Sequence, residues 1–161
     1  ECSEIDEEKL IKAIGLVKER AETVKELWVL SKYLFQEPPM LLYQSKTLDE
    51  AHIVRKAMGR GWHETLKRVL EVCAKLKGKK IDGFIDQVTS PKLMTSYRGT
   101  TKEAKPGKMM MLIRIVLVGN LSGIDLQKIV NFIGTEEVER RVRLFIKTET
   151  GFDPYDKERF G

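Results

Sequence analysis

An apolar segment with an arginine inside it is the feature that most limits how this chain can fold. Residues 109–118 read MMMLIRIVLV, so every side chain except that of Arg114 is apolar. The segment is about half as long as a membrane span, and we therefore expect it in a protein core. Burying a guanidinium without a partner costs on the order of several kcal/mol. We therefore expect Arg114 to have a bonding partner.

Apolar residues recur at steps of three and four along much of the chain, which is typical of α-helices. The first predicted helix runs from about Glu7 to Leu34 and ends before Glu37-Pro38-Pro39. Its apolar stripe is predicted to consist of Leu10, Ile14, Val17, Ala21, Val24 and Trp28. On the wheel of this helix Arg20 falls on the packing side, so its stem would lie along the edge of the core.

Further helices are predicted at about 48–58, 63–76 and 81–88, and Ser90-Pro91 could begin another. The apolar segment ends at Gly119 and suits a helix or, because of its β-branched residues, a strand. Asp125 is a good N-cap for a short helix that ends at Gly134, and Thr135 would cap the last helix.

Positive charge is concentrated in the middle of the chain. The formal net charge is +5, and residues 61–108 carry 11 basic against 5 acidic side chains. A local excess of this kind suits an anionic partner, foremost a nucleic acid, although solvated surface lysines explain it equally well.

Residue types that perform catalysis or bind metals form no recognisable site. Cys2 and Cys73 are too few for a disulfide scaffold and indicate a reducing cytosol, and with His52 and His63 they make no pair at zinc-ligand spacing. The glycines at 119 and 123 lack the lysine and the third glycine of nucleotide-binding loops. We predict no catalytic residue, no metal and no cofactor in this chain. It has no signal peptide and does not open with methionine, which indicates either processing or excision from a longer protein, and we expect excision.

Two alternatives of different classes follow from the residues. Residues 126–144 look like a helix-turn-helix with Arg140, Arg141 and Arg143 behind the turn, which would suit duplex DNA, although a solvated basic face is the simpler interpretation. The other alternative is a helical protein–protein adaptor with no role in binding nucleic acid.

Two blocks of sequence match a known pattern. Residues 105–119 read KPGKMMMLIRIVLVG and residues 132–142 read FIGTEEVERRV. They resemble the C-terminal region of bacterial-type glutamyl-tRNA synthetases, in which a glycine-lysine, an apolar run containing one arginine and a glycine precede a helix ending in Leu-Gly-Lys-Glu. Residues 16–23, LVKERAET, look like that family's L-x-x-x-R-x-x-T helix, and Gly61-Trp62 matches its frequent tryptophan. The resemblance covers about residues 8–146.

The resemblance implies an all-α fold of two small helical subdomains, residues 1–46 and 47–147. The tail at 148–161 is rich in charge, and we expect it to be loosely held. These subdomains would bind the anticodon loop of tRNA(Glu). Arg114 matches an arginine that contacts an anticodon base, and Arg20 matches one that reads another base. Gly123, Ile124 and Leu126 match a turn that touches the loop. Leu112 and Ile124 depart from the family, which usually has proline at both positions.

The resemblance also implies a parent enzyme, a class I glutamate-tRNA ligase that joins glutamate to tRNA with ATP and Mg. Its catalysis belongs to an N-terminal domain whose His-Ile-Gly-His-type and Lys-Met-Ser-Lys-Ser-type motifs do not occur in this sequence. We therefore expect the chain to be inactive alone, and its partners to be tRNA(Glu) and that N-terminal domain. The parent is expected to be a cytoplasmic monomer without membrane contact.

Overall fold

The computed structural model describes residues 6–36, 62–90, 106–119 and 124–150. Every regular element within these ranges is helical, so the predicted all-α class is confirmed. In chain order the elements are α1 (Glu7–Val17), a 3-10 helix (Lys18–Arg20), α2 (Val24–Phe35), α3 (Trp62–Leu76), α4 (Phe84–Thr89), α5 (Pro106–Val118) and α6 (Leu126–Thr150). The helix predicted at 48–58 and the one beginning at Ser90-Pro91 lie outside the described residues.

The single long helix predicted from Glu7 to Leu34 is wrong, because the chain breaks into α1 and α2 between them. The cause is a capping box at the start of α2. The Thr23 hydroxyl accepts a hydrogen bond from the Glu26 backbone N–H at 3.2 Å, and the Glu26 carboxylate accepts one from the Thr23 N–H at 3.3 Å. Both bonds satisfy N–H groups that a helix start leaves unpaired, so a new helix is favoured at this position.

The break also changes which face of this segment is buried. Ala13 and Val17 of α1 have no exposed surface, and Leu34 of α2 is also in the core. The predicted stripe is therefore wrong in most of its members. Four of them are exposed, together with two neighbouring apolar side chains: Leu10, Ile11, Ile14, Val24, Trp28 and Val29.

The main core lies between α3, α5 and α6. α3 buries one full face, and α4 adds Phe84 and Val88 to the same cluster. The apolar segment forms a helix, α5, rather than a strand. It ends as predicted at Gly119, whose φ of 63° is the left-handed conformation that favours glycine and whose N–H bonds to the carbonyl of Ile115 at 2.8 Å.

α6 begins and breaks where local chemistry predicts. The Asp125 carboxylate accepts a hydrogen bond from the Lys128 N–H at 3.1 Å, which confirms Asp125 as the N-cap. At Gly134 the backbone has φ 82° and ψ 161°, so the helix is interrupted there and resumes at once. The predicted division into two helical pieces is confirmed.

Gln127 on α6 holds the N-terminal end of α4. Its Nε2 donates to the carbonyl of Ile81 at 3.0 Å, and its Oε1 accepts from the backbone N–H of Ile85 at 3.1 Å. Gly83, at the N-cap position, has no side chain to make such a bond. A residue far along the chain therefore caps this short helix.

The first helical block, which consists of α1, the 3-10 helix and α2, packs through α2 on the second helical block, which consists of α3 to α6. Phe35 and Phe132 of α6 meet edge to face, with 5.7 Å between their ring centroids. The predicted boundary between subdomains, near residue 46, lies outside the described residues and stays a prediction. α6 continues to Thr150, and the remainder of the predicted tail is also outside them. Of the helices described, none is both long and apolar enough to cross a membrane.

Candidate nucleic-acid interface

Arg114 lies on α5, half-buried, and does have the internal partner that its setting predicts. Its Nη1 donates a hydrogen bond to the backbone carbonyl of Ile124, just before α6 begins. Burial lowers the pKa of the Arg114 guanidinium. The carboxylate of Asp125 acts in the opposite direction, and the positive charge of Arg20 adds to the lowering. Arg114 is thus anchored at one end while it remains partly open to solvent.

Arg20, the second predicted base-reading residue, ends the 3-10 helix and is exposed. The prediction that it falls on a packing face is wrong, because the wheel assumed one unbroken helix. Its charge nevertheless acts on Arg114, although the two residues are far apart in sequence. The fold therefore brings the two predicted arginines into electrostatic range of one another.

The other predicted contacts are in the turn before α6. Ile124 and Leu126 are buried, at 7% and 3% exposure, and both side chains belong to the core. A bound base could therefore reach their backbone atoms but not stack on their side chains. Gly123 lies outside the described residues.

Arg141 is a buried arginine that the sequence did not single out. Its side chain is only 1% exposed. Its Nε donates to the Glu137 carboxylate at 2.8 Å, and its Nη1 donates to the carbonyls of Tyr33 at 2.5 Å and Leu117 at 2.6 Å. The spacing of four between Glu137 and Arg141 could have indicated the ion pair. No local pattern could have indicated the two carbonyls.

The arginines of the predicted helix-turn-helix are engaged in ion pairs. Arg140 makes two hydrogen bonds to Glu137, at 2.9 and 2.7 Å, and Arg143 pairs with Glu139 at 2.8 Å. Arg141 is buried, so the interpretation of the three arginines as a solvated basic face is wrong for that residue. Reading a DNA groove with these side chains would require breaking pairs already made.

Exposed lysines cluster where α3 ends. Lys75 lies in the last turn of α3, and Lys77, Lys79 and Lys80 follow it; all four are exposed. This is part of the basic stretch expected from the sequence. Among the residues described, no group of three or more His, Cys, Asp or Glu side chains is arranged to hold a metal ion.

Comparison with known proteins gives the same family as the sequence motifs. The family model for the anticodon binding domain matches residues 2–146. The chain is 31% identical over 152 residues to the glutamate-tRNA ligase of Christiangramia forsetii, covering 92% of this chain and 27% of that protein. It is 33% identical over 139 residues to that of Flavobacterium psychrophilum, covering 85% of this chain and 24% of the relative.

A solved structure of a glutamate tRNA ligase from Elizabethkingia meningosepticum, in complex with its amino acid, matches with a TM-score of 0.67 and 30% identity. The match covers 91% of this chain and 26% of that one. The chain therefore spans about a quarter of the length of these relatives. It belongs to the anticodon-binding domain family and is homologous to glutamate-tRNA ligases.

Proposed function

We propose that this chain binds the anticodon loop of tRNA(Glu), as the anticodon-binding part of a glutamate-tRNA ligase, and that Arg114 reads an unpaired anticodon base. The observation that carries the proposal is the state of Arg114. It is half-buried, held by the Ile124 carbonyl and within electrostatic range of Arg20. The Asp125 carboxylate offsets part of the charge that Arg20 and Arg114 bring together, and both guanidiniums present only N–H donors, which favour an electron-rich partner.

The chemistry of Arg114 favours a base that presents acceptors. A guanidinium carries five N–H donors in a planar fork and no acceptor. Bonding to Ile124 uses one donor and restrains the guanidinium before a ligand arrives. Single-stranded RNA loops are read by splaying bases out and bonding their Watson–Crick edges. Cytosine offers acceptors on that edge, and a base that offers a donor instead would leave the N–H groups of Arg114 that face it without an acceptor.

The remaining contacts have distinct roles in this proposal. Arg20, being exposed, would read a second base, and the turn formed by Gly123, Ile124 and Leu126 would contact the loop through backbone atoms. The exposed lysines at the end of α3 would attract phosphates without regard to base identity. That attraction should weaken as salt rises, because each neutralised phosphate releases counterions.

The activity of the parent protein is part of the same proposal. The relatives are glutamate-tRNA ligases, and we infer that the parent joins glutamate to tRNA(Glu) with ATP and Mg. We expect the reaction to be carried out by a separate catalytic domain of the same protein, and this chain to have no ligase activity alone. We also infer a monomeric, cytoplasmic parent.

The proposal is tested by titrating the chain with an unmodified tRNA(Glu) anticodon stem–loop and with a variant in which one anticodon base is replaced. Arg114→Ala should weaken binding of the first RNA by about 1–3 kcal/mol and reduce the difference between the two RNAs. Arg140→Ala is the control, since it removes the same charge from an exposed ion pair. The proposal would be refuted if wild type and Arg114→Ala had the same affinity for each RNA and neither protein distinguished the two RNAs.

The same titration separates the alternatives. A DNA duplex of equal length that binds more tightly than the stem–loop at the same salt concentration would favour a DNA-binding module. Negligible RNA affinity even at low ionic strength would favour a protein–protein adaptor.

A further inference from the structure

We propose that Arg141 is a positioning residue for anticodon reading: by joining the C-terminal ends of α2 and α5, it fixes the position of Arg20 relative to Arg114. The inference rests on the proposed function, since it assigns to Arg141 the geometry on which that function depends.

The carbonyls that Arg141 binds belong to helix ends. Tyr33 lies in the last turn of α2, and Leu117 lies in the last turn of α5. The last four carbonyls of a helix lack partners within the helix and carry its negative dipole end. One buried guanidinium therefore satisfies both helices at once, at 2.5 and 2.6 Å, while Glu137 of α6 holds its Nε at 2.8 Å.

Arg141 thus forms a junction between the C-terminal ends of α2 and α5. The two proposed base-reading arginines lie at different distances from this junction. Arg114 precedes Leu117 by three residues, about one turn of α5, so it lies close to the fixed point. Arg20 precedes α2, whose N-terminal residue Val24 is about 13 Å along the helix axis from Tyr33. A tilt of α2 by about 10° would move that end by about 2 Å. This exceeds the positional tolerance of about 0.5 Å that a binding constellation needs.

The contacts of Arg141 could also serve stability alone. The Phe35–Phe132 ring pair holds the same end of α2, so the fold has a second attachment there. A purely structural role predicts a lower melting temperature with unchanged discrimination between RNAs while the chain is folded. A positioning role predicts that discrimination falls in the folded protein.

The experiment compares Arg141→Met with Arg140→Met in the whole chain. Both variants remove one positive charge next to Glu137, but Arg140→Met leaves the bonds from Arg141 to Tyr33 and Leu117 in place. Fluorescence anisotropy gives the Kd for the tRNA(Glu) anticodon stem–loop and for its one-base variant, at a temperature where circular dichroism shows each protein folded. Discrimination is measured as the Kd for the one-base variant divided by the Kd for the tRNA(Glu) stem–loop. We expect Arg141→Met to reduce this ratio at least fivefold and Arg140→Met to leave it within twofold of the wild-type value.

The outcomes separate the two proposals. If wild type does not discriminate between the RNAs, the proposed function fails, and the role of Arg141 in reading fails with it. If wild type discriminates and Arg141→Met does so equally well, only the inference about Arg141 is overturned. Should Arg141→Met not fold, Arg141→Lys takes its place, because an ammonium is a single nitrogen and cannot bond the two carbonyls from the position of Nη1 and the Glu137 carboxylate from the position of Nε at once. It should lower the ratio at least twofold, and an unchanged ratio would overturn the inference.

A distance measurement tests the geometry directly. Nitroxide labels at Lys25 of α2 and Lys128 of α6, both exposed, are introduced through cysteine in a Cys2→Ser background, where the remaining native thiol, Cys73, is buried. The distance distribution should broaden or shift by about 2 Å or more when Arg141 is replaced. An unchanged distribution would contradict the proposed junction.

Discussion

Replacing Glu137 by glutamine should lower stability at neutral pH and lower it much less at pH 3. Glu137 accepts two hydrogen bonds from Arg140 and one from Arg141. The bonds from Arg140, followed by those from Arg141, lower the pKa of Glu137 from 4.5 to about 2, and burial opposes them only in part. The carboxylate is therefore more acidic in the folded chain than in the unfolded chain.

The direction of the pH dependence follows from this difference. A group whose pKa is lowered by folding adds stability that is fully present above its unfolded pKa, here 4.5, and is lost as the pH falls towards about 2. The two pKa values set an upper limit of about 3 kcal/mol. The side chains of Glu137 and Arg140 are 29% and 50% exposed, so solvent screens the pair. We therefore expect a contribution of about 1–2 kcal/mol.

The assay is urea denaturation of wild type and Glu137→Gln at intervals from pH 7 to pH 3. The variant should be less stable by about 1–2 kcal/mol at pH 7, and more than half of this difference should be gone by about pH 3. Glu8→Gln is the control. Its carboxylate pairs with Lys12 at 2.8 Å on the open surface of α1, where a single ion pair contributes little.

Two results would refute the reasoning. One is a variant as stable as wild type at pH 7, which would mean that the buried guanidinium of Arg141 does not depend on Glu137. The other is a difference that stays constant between pH 7 and pH 3, which would mean that the carboxylate does not titrate differently in the folded chain.

Four further predictions concern the backbone, at two glycines, the core and a helix start. Gly134→Ala should cost about 1–3 kcal/mol in urea denaturation because its φ of 82° strains any side chain, although no atom lies within 4 Å of the added Cβ. Gly15→Ala, in the middle of α1 with equal space and an ordinary φ, should instead stabilise by about 0.5–1 kcal/mol. Burial raises the pKa of the Cys73 thiol to about 12, so iodoacetamide at pH 8 should modify it only as fast as the chain unfolds; rapid modification of the folded chain would contradict this. Thr23→Ala removes one bond of the capping box and should lower the unfolding free energy by about 1 kcal/mol, whereas no change would show that α2 begins without it.

Much of the second helical block could be predicted because its boundaries depend on local chemistry. The left-handed glycines that follow α3 and α5 and interrupt α6, and the cap at Asp125, are each decided by one or two neighbouring residues. The helix predicted at 63–76 likewise agrees with α3, Trp62–Leu76. The ambiguity between helix and strand in residues 109–118 required the tertiary fold to decide it.

The first helical block was predicted less well, although a usable signal was present. The apolar period continues across residues 18–23 and suggested one helix, whereas Thr23 and Glu26 have the spacing of a capping box. That local signal decided the structure. As a result the predicted stripe and the predicted burial of Arg20 were both wrong.

The candidate site combines a part that sequence could indicate and a part that it could not. Arg114 was identified because a charge within an apolar segment is costly. Arg141 looked like one of three similar arginines, since its partners are carbonyls 108 and 24 residues away. Only the packing of α2, α5 and α6 distinguishes it from Arg140 and Arg143.

The bonds made by Gln127 have a consequence for the order in which the chain folds. With six residues, α4 is far shorter than a helix that persists by itself in water. Its first turn is bonded to an amide some forty residues further along the chain, so we expect α4 to gain its full stability only after α6 has docked. We therefore expect this six-residue helix to be completed late in folding, although its own residues precede α5 and α6 in the sequence.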